Sequence, residues 1–302
     1  MTAPTETPDR LVDRRLVHRR AHAEVLLTGI EPAGGPAWRA GLQIHRAHPH
    51  IGPERHVPDT LAVEAVRQVG VALAQLHADA GPDAALTLQH AWLEWPRGPV
   101  PVPDVAPLDL TARVEITAEP QRRGVRSGLT VVAEFCRGTE VAWRAGGDLS
   151  ILARRHYRAL RRHAAGPDRV PPRYDRTILL PAPDPDRHLL GYDLGDGLVF
   201  DHVPDHLPGM LLVQAMDHLR RRHVPHRPHR GLSLRFAAFA EYLPLVEVTW
   251  RAGTERTAVE FRQEGTLVAS GALHHRAAPA PAEPVSDLPS ASGTLYGPGG
   301  FA

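Results

Sequence analysis

A chain of 302 residues with 42% apolar content can bury two ordinary cores, and its net charge of +1 gives no bulk attraction to nucleic acid, which needs a strong basic excess. All 35 basic residues are Arg, which excludes Schiff-base lysine chemistry and a phosphate-loop lysine. The single cysteine, Cys136, excludes an internal disulfide, and no window approaches the ~18 apolar residues of a membrane span, so a cytoplasmic protein is expected.

Residues 1–20 read as a polar N-terminal segment, and the first globular unit is placed at 21–163. Its stretches AEVLLTGIEP and AWRAGLQIHRAH alternate as strands do. A loop rich in His and Pro then leads to a predicted helix over 60–77, in which Leu61, Glu64, Val66, Val69, Leu73 and Leu76 fall near helical spacing. ALTLQHAWLEW, LDLTARVEITAEP and GLTVVAEFCRGTEVAWRAGGDLSIL follow as long strands. Residues 164–186 form a Pro-rich connector. The second unit, 187–276, repeats the order: HLLGYDL and GLVFD, a helix over 209–222, then LSLRFAAFAEYL, LVEVTWRAG and TAVEFRQEGTLVASGALHHR. The tail, 277–302, lacks periodicity and is expected to be disordered.

The two units are an internal repeat. ERHVPDTLAVEAVRQ at Glu54 has an echo in the segment DHVPDHLPGMLLVQAMDHL at Asp201, which sets His56 on His206, Asp59 on Gly209, Glu64 on Gln214 and Arg67 on Asp217. VEIT at Val114 matches VEVT at Val246, and AEFCRGTEVA at Ala133 matches VEFRQEGTLVA at Val259. One helix, apolar around much of its girth, followed by long antiparallel strands suits a sheet wrapped around a buried helix. The expected fold is therefore α+β, a tandem hot-dog in which two long helices are each wrapped by an antiparallel sheet. Such a chain is a monomer of two fused units or a dimer of these.

HRAHPH and VEAVRQ in the first unit, with VFDHVPDHLPGMLLVQA in the second, make the chain resemble the A-factor biosynthesis (AfsA-like) hot-dog family of γ-butyrolactone or butenolide precursor synthases over roughly residues 15–276. That resemblance implies an acyltransferase or cyclase joining a β-ketoacyl group to the hydroxyl of a phosphorylated three-carbon acceptor such as dihydroxyacetone phosphate. The acyl donor would be a thioester of acyl carrier protein or CoA, and no cofactor is implied. The family's second repeat carries Glu and Arg where this chain has Gln214 and Asp217, which bears on the reaction more than on the fold. A wider resemblance to hot-dog dehydratases, which use a His, a helix-opening Gly and an acid from the partner unit, implies that His202 and Gly209 face Glu64. In the reciprocal site His50 and Asp59 would face Gln214.

Physical chemistry separates the two sites. A free N–H at a helix start stabilises a developing oxyanion, worth ~3 kcal/mol for a single donor elsewhere, and Gly209 offers it unobstructed. Asp59 would cap its own helix and oppose that charge. Glu64 can act as a general base, whereas Gln214 cannot exchange a proton. Arg67, one turn on, can hold a phosphate or the carboxylate; Asp217 would repel phosphate. Glu64, His202 and Gly209 are thus the expected catalytic set. Arg67, His206, Asp201, Arg46 and His48 are the expected substrate contacts, and His50, Asp59, Gln214 and Asp217 a degenerate second site.

Blander roles stand beside these. Glu64 can be an internal ion pair with Arg67, since burying a lone carboxylate costs several kcal/mol. Most of the 19 histidines are surface or structural groups. The spacing of His202 and His206 suggests a metal, but Pro204 between them denies the helical geometry this needs, and no metal is expected. Trp92, Trp95, Trp143 and Trp250 lie on strands as core. The runs ARRHYRALRRH and HLRRRHVPHRPHRG are solvated faces, or docking sites for an acidic carrier protein. The competing functions are a dehydratase or thioesterase on acyl thioesters, and a non-catalytic acyl- or lactone-binding protein.

Overall fold

The computed structural model describes residues 12–81, 84–122, 124–162, 164, 178–184 and 187–276. After two short 3-10 turns, Arg14–Val17 and His22–Glu24, come strands β1 (Leu27–Gly34) and β2 (Ala37–Ile44), then helix α1 (Asp59–Leu76). Strands β3 (Ala85–Glu94) and β4 (Leu108–Ala118), a small ribbon of β5 (Gln121–Arg122) and β6 (Val125–Arg126), and the long β7 (Gly128–Arg137) and β8 (Glu140–Leu152) complete the first half. Helix α2 (Arg154–Leu160) follows, then β9 (Leu179–Pro181), β10 (Arg187–Leu190) and helix α3 (Gly209–His223). The chain closes with β11 (Gly231–Phe236), β12 (Glu247–Ala252), β13 (Arg256–Gln263) and β14 (Thr266–His274).

Apart from the ribbon, the strands form one antiparallel sheet in the order β1-β2-β4-β7-β8-β3-β11-β14-β13-β12-β10-β9. Outward from the β3–β11 seam, each half lists its strands in the same relative order, so the repeat in sequence is a repeat in topology. Side chains of β4 alternate between buried and exposed along most of its length, as a strand with one face on the core requires. The seam itself pairs Gly231 with Glu94 and Arg235 with His90. Two hot-dog units, joined edge to edge in one chain, account for the whole arrangement.

Both helices lie inside the wrap. Helix α1 buries 15 of its 18 residues, which only a helix apolar nearly all round tolerates. Helix α3 buries its first turns and ends in Arg220, Arg221 and Arg222, cations suited to the negative end of the helix dipole, followed by His223. The two helices also touch each other. Trp95 and Trp143 are fully buried with ring centroids 5.5 Å apart, and Phe135 stacks on Trp143 at 4.9 Å.

Three local features differ from the sequence reading. GLVFD, expected as a strand, is a series of turns over 197–201 because Asp196 folds the chain back on itself, its carboxylate accepting from Leu198 N and Val199 N. The Pro-rich connector contains β9, which pairs with β10 as an edge strand, where prolines are tolerated. The arginine-rich run after β8 begins a short helix, α2, which docks by its side chains. The tail 277–302 lies outside the described residues. No described helix is long and apolar enough to cross a membrane.

Candidate functional site

Glu64, Arg67 and Gln68 share one face of α1 by their i, i+3, i+4 spacing. The Glu64 carboxylate is fully buried and nearly saturated. Arg67 Nε donates to Oε2 at 2.6 Å and its Nη2 to Oε1 at 2.8 Å, while Gln68 Nε2 reaches Oε1 at 2.8 Å. Arg19, from the segment before β1, adds Nε at 3.1 Å and Nη2 at 2.5 Å. Burial pushes this carboxyl up, but the charges of Arg67 and then Arg19, with their hydrogen bonds, outweigh it and hold the pKa at about 2. A carboxylate so stabilised takes up a proton reluctantly, which disfavours the general-base role expected of it. The geometry is that of the internal ion pair, enlarged by a second guanidinium.

The second half closes over this face. Arg19 Nη1 donates to the Leu198 carbonyl at 2.8 Å, and the Asp201 carboxylate accepts from Arg20 N at 2.5 Å and Ala21 N at 2.8 Å. His202 follows, its side chain 43% exposed, with Nδ1 3.7 Å from Asp201 Oδ2. His18 stands near both Arg67 and His202; burial, then the Arg67 charge, then His202, hold its pKa below the usual imidazole value. The structure thus brings Asp201 of one half within the field of Arg67 of the other, and sets His202 near the same His18 that Arg67 faces.

The reciprocal crossing has a different character. His50 Nε2 lies 2.9 Å from Asp196 Oδ1, and Gln214 Nε2 donates to Asp196 Oδ2 at 2.8 Å. Burial pushes the Asp196 carboxyl up, but the hydrogen bond and charge of His50, with the Gln214 bond, bring it below the usual range. His50 N donates to His48 Nδ1 at 3.2 Å, and His48 Nε2 faces Glu24 Oε2 at 3.4 Å. The carbonyl of Glu24 in turn accepts from Gln68, so the two crossings are linked. Asp217, expected as a bare negative charge, is neutralised by Arg220 at 2.9 Å and Arg221 at 3.0 Å.

Other expected contacts fall elsewhere. Asp59 does not cap α1, whose start carries no side-chain cap. Its Oδ1 accepts from Trp95 Nε1 and faces His229 Nε2, each at 2.8 Å, because these buried donors need an acceptor. His206 Nδ1 lies 2.7 Å from Asp205 Oδ1, and Tyr157 of α2 donates to the same oxygen at 2.6 Å. Arg46 is exposed and donates to the Asp104 carbonyl at 2.5 Å. Gly209 opens α3 without a side-chain cap, and a Cβ there would stand 3.0 Å from the Phe236 ring. Among the described residues no group of three or more His, Cys, Asp or Glu is placed to hold a metal ion.

Arg19, Asp196, Tyr157 and Arg161 were not singled out from sequence, and His229 was read as one of the surface or structural histidines. Asp196 alone had a local signal: the Asp-Gly turn that precedes Leu198.

Comparison with known proteins fits this architecture. The oleoyl thioesterase structure from Lactobacillus plantarum superposes with a TM-score of 0.53 at 10% identity, over 82% of this chain and 98% of that one. The 12:0-ACP thioesterase from Umbellularia californica gives 0.49 at 12% identity, over 82% and 99%. The likeness to the Lactobacillus plantarum structure, at 10% identity, speaks for the fold alone, that of a double hot-dog protein. The A-factor biosynthesis hotdog domain matches residues 2–151. The 2-oxo-3-(phosphooxy)propyl 3-oxoalkanoate synthase of Streptomyces virginiae is 30% identical over 259 residues, 79% of this chain and 85% of that protein. The chain belongs to the A-factor biosynthesis hot-dog family.

Proposed function

We propose that this chain transfers a 3-oxoacyl group from a carrier-protein or CoA thioester to the hydroxyl of a phosphorylated three-carbon acceptor. The observation that carries the reading is the paired-guanidinium face between the halves, where Glu64 aligns Arg19 and Arg67. Arg67 binds Glu64 through Nε and Nη2, which leaves Nη1 for an anionic substrate. Its side chain is 18% exposed. His202, which like Arg67 lies near His18, is assigned as a further donor to the anion. Gly209 supplies an uncapped helix start for the oxyanion of the tetrahedral intermediate. The ester named in the Streptomyces virginiae relative is the product such a reaction gives from dihydroxyacetone phosphate.

The test is incubation with a 3-oxoacyl carrier protein, with and without dihydroxyacetone phosphate, followed by mass spectrometry. An ester of the summed mass is expected only with the acceptor present. Free 3-oxo acid in equal yield under both conditions would identify a thioesterase instead.

A further inference from the structure

We infer that His50, oriented by Asp196, is the acid–base group of this acyl transfer, so that the second crossing between the halves is a working part of the site and not a relic. The inference rests on the acyl-transfer reading and supplies the proton carrier that reading lacks, since Glu64 is locked by two guanidiniums.

The geometry fixes the roles. Asp196 Oδ1 accepts two backbone N–H groups, at 3.1 and 3.2 Å, and Oδ2 accepts Gln214 at 2.8 Å, so this carboxylate acts as an acceptor on every side. The ring nitrogen facing it at 2.9 Å, His50 Nε2, must therefore carry the hydrogen. In the neutral ring that leaves the lone pair on Nδ1, free to take a proton. An imidazole held in one tautomer by a part-buried carboxylate is the arrangement general-base catalysis requires. The His50 side chain is part-exposed, at 13%. Asp196 also begins the segment whose Leu198 carbonyl binds Arg19 and whose Asp201 carboxylate binds Arg20 N and Ala21 N. One six-residue stretch, 196–201, thus sets the base and the anion face relative to each other.

In the step this implies, the acceptor hydroxyl gives its proton to His50 Nδ1 as its oxygen bonds to the thioester carbon. The tetrahedral oxyanion then collapses, the carbon–sulfur bond breaks, and Nδ1 returns the proton to the departing thiolate. Asp196 is a positioning residue: it keeps the tautomer and stabilises the imidazolium between the two transfers. Gln214 keeps Asp196 in place, a role that needs an amide donor, which the Glu of the first repeat's equivalent position could not fill.

The experiment measures kcat and KM for ester formation by the full chain and its variants, with circular dichroism to confirm folding. His50→Ala is expected to lower kcat by ~10² to 10⁴, with added imidazole restoring part of the rate. Asp196→Asn should lower kcat by at least tenfold while KM for the phosphorylated acceptor stays within about twofold. His202→Ala should do the reverse, raising that KM. Near-normal kcat in His50→Ala, or a loss that imidazole does not repair in a folded variant, overturns the assignment. A wild type that hydrolyses the thioester but forms no ester overturns the acceptor reading, and the His50 loss is then read on hydrolysis, where water is the acceptor. A wild type inert toward the thioester overturns both.

Discussion

Glu64 is wholly buried among Arg19, Arg67 and Gln68, and what it contributes depends on pH. Its folded pKa of about 2 lies below the ordinary 4.5, so its stabilisation is fully present above pH 4.5 and fades as pH falls toward 2. The difference corresponds to about 3 kcal/mol, and denaturant midpoints compared at pH 7, 4 and 3 should fall accordingly. Glu64→Gln is expected to lower stability at pH 7 by about 3 to 5 kcal/mol, because two buried guanidiniums lose their counter-charge. Loss of the acid dependence in that variant would tie it to this residue. Glu64 and Arg67 were legible in the sequence because a carboxylate inside an apolar helix needs a partner and the i+3 position offers one. Arg19 was not: it sits 45 residues upstream among other arginines, and nothing local distinguishes the one that turns inward.

The elements differ in how plainly the chain announces them. Both long helices and the strands of the core were legible from periodicity and from the repeat, since each buries a whole face. Helix α2 was read as a solvated charge run because its burial comes from single side chains and not from a stripe. Arg161, just past its end, is 7% exposed and reaches Glu241 at 2.5 and 2.9 Å and the Asp205 carbonyl at 2.6 Å, with Phe239 under its guanidinium at 4.8 Å. With Tyr157 it clamps the loop that enters α3. Arg161→Met should cost about 2 kcal/mol, and amide exchange over 201–208 should accelerate while the core strands keep their protection. Unchanged exchange in that loop would show that α2 does not brace it. Neighbouring Tyr242, whose hydroxyl donates to the Pro204 carbonyl at 2.9 Å, is pushed to about 12 by burial and then by the Asp205 charge. It should not titrate before the fold opens.

The whole molecule hinges on the β3–β11 seam. Gly231 there has φ +136°, and a Cβ would stand 1.8 Å from the Leu93 carbonyl, so the close approach of the two backbones depends on its lacking a side chain. Gly231→Ala should therefore destabilise the chain by several kcal/mol, whereas alanine at Gly138, where φ is +60° but no atom lies within 4 Å of a Cβ, should cost only the ~1 to 2 kcal/mol of the left-handed backbone. Sheet, helix contact and Arg19–Leu198 bond all cross between the halves, and thermal unfolding is expected to be one transition that coincides by tryptophan fluorescence and far-ultraviolet dichroism. Two resolved transitions would mean that the halves are energetically separate. That the units would meet edge to edge followed from their number and kind; which loop residues meet across the junction did not, since those contacts have no period to read.

One consequence follows from the seam lying within a single chain. In a homodimer of identical units every substitution is written twice, and a change that improves one crossing alters the other equally. Here the two copies lie in one chain, and positions 64 and 214, 67 and 217, and 59 and 209 carry different residues. Loss of exact symmetry frees each crossing to specialise, one collecting arginines around a carboxylate and the other a histidine before an aspartate. A duplicated half thus becomes raw material for division of labour, and the covalent link keeps the unlike partners together at any concentration.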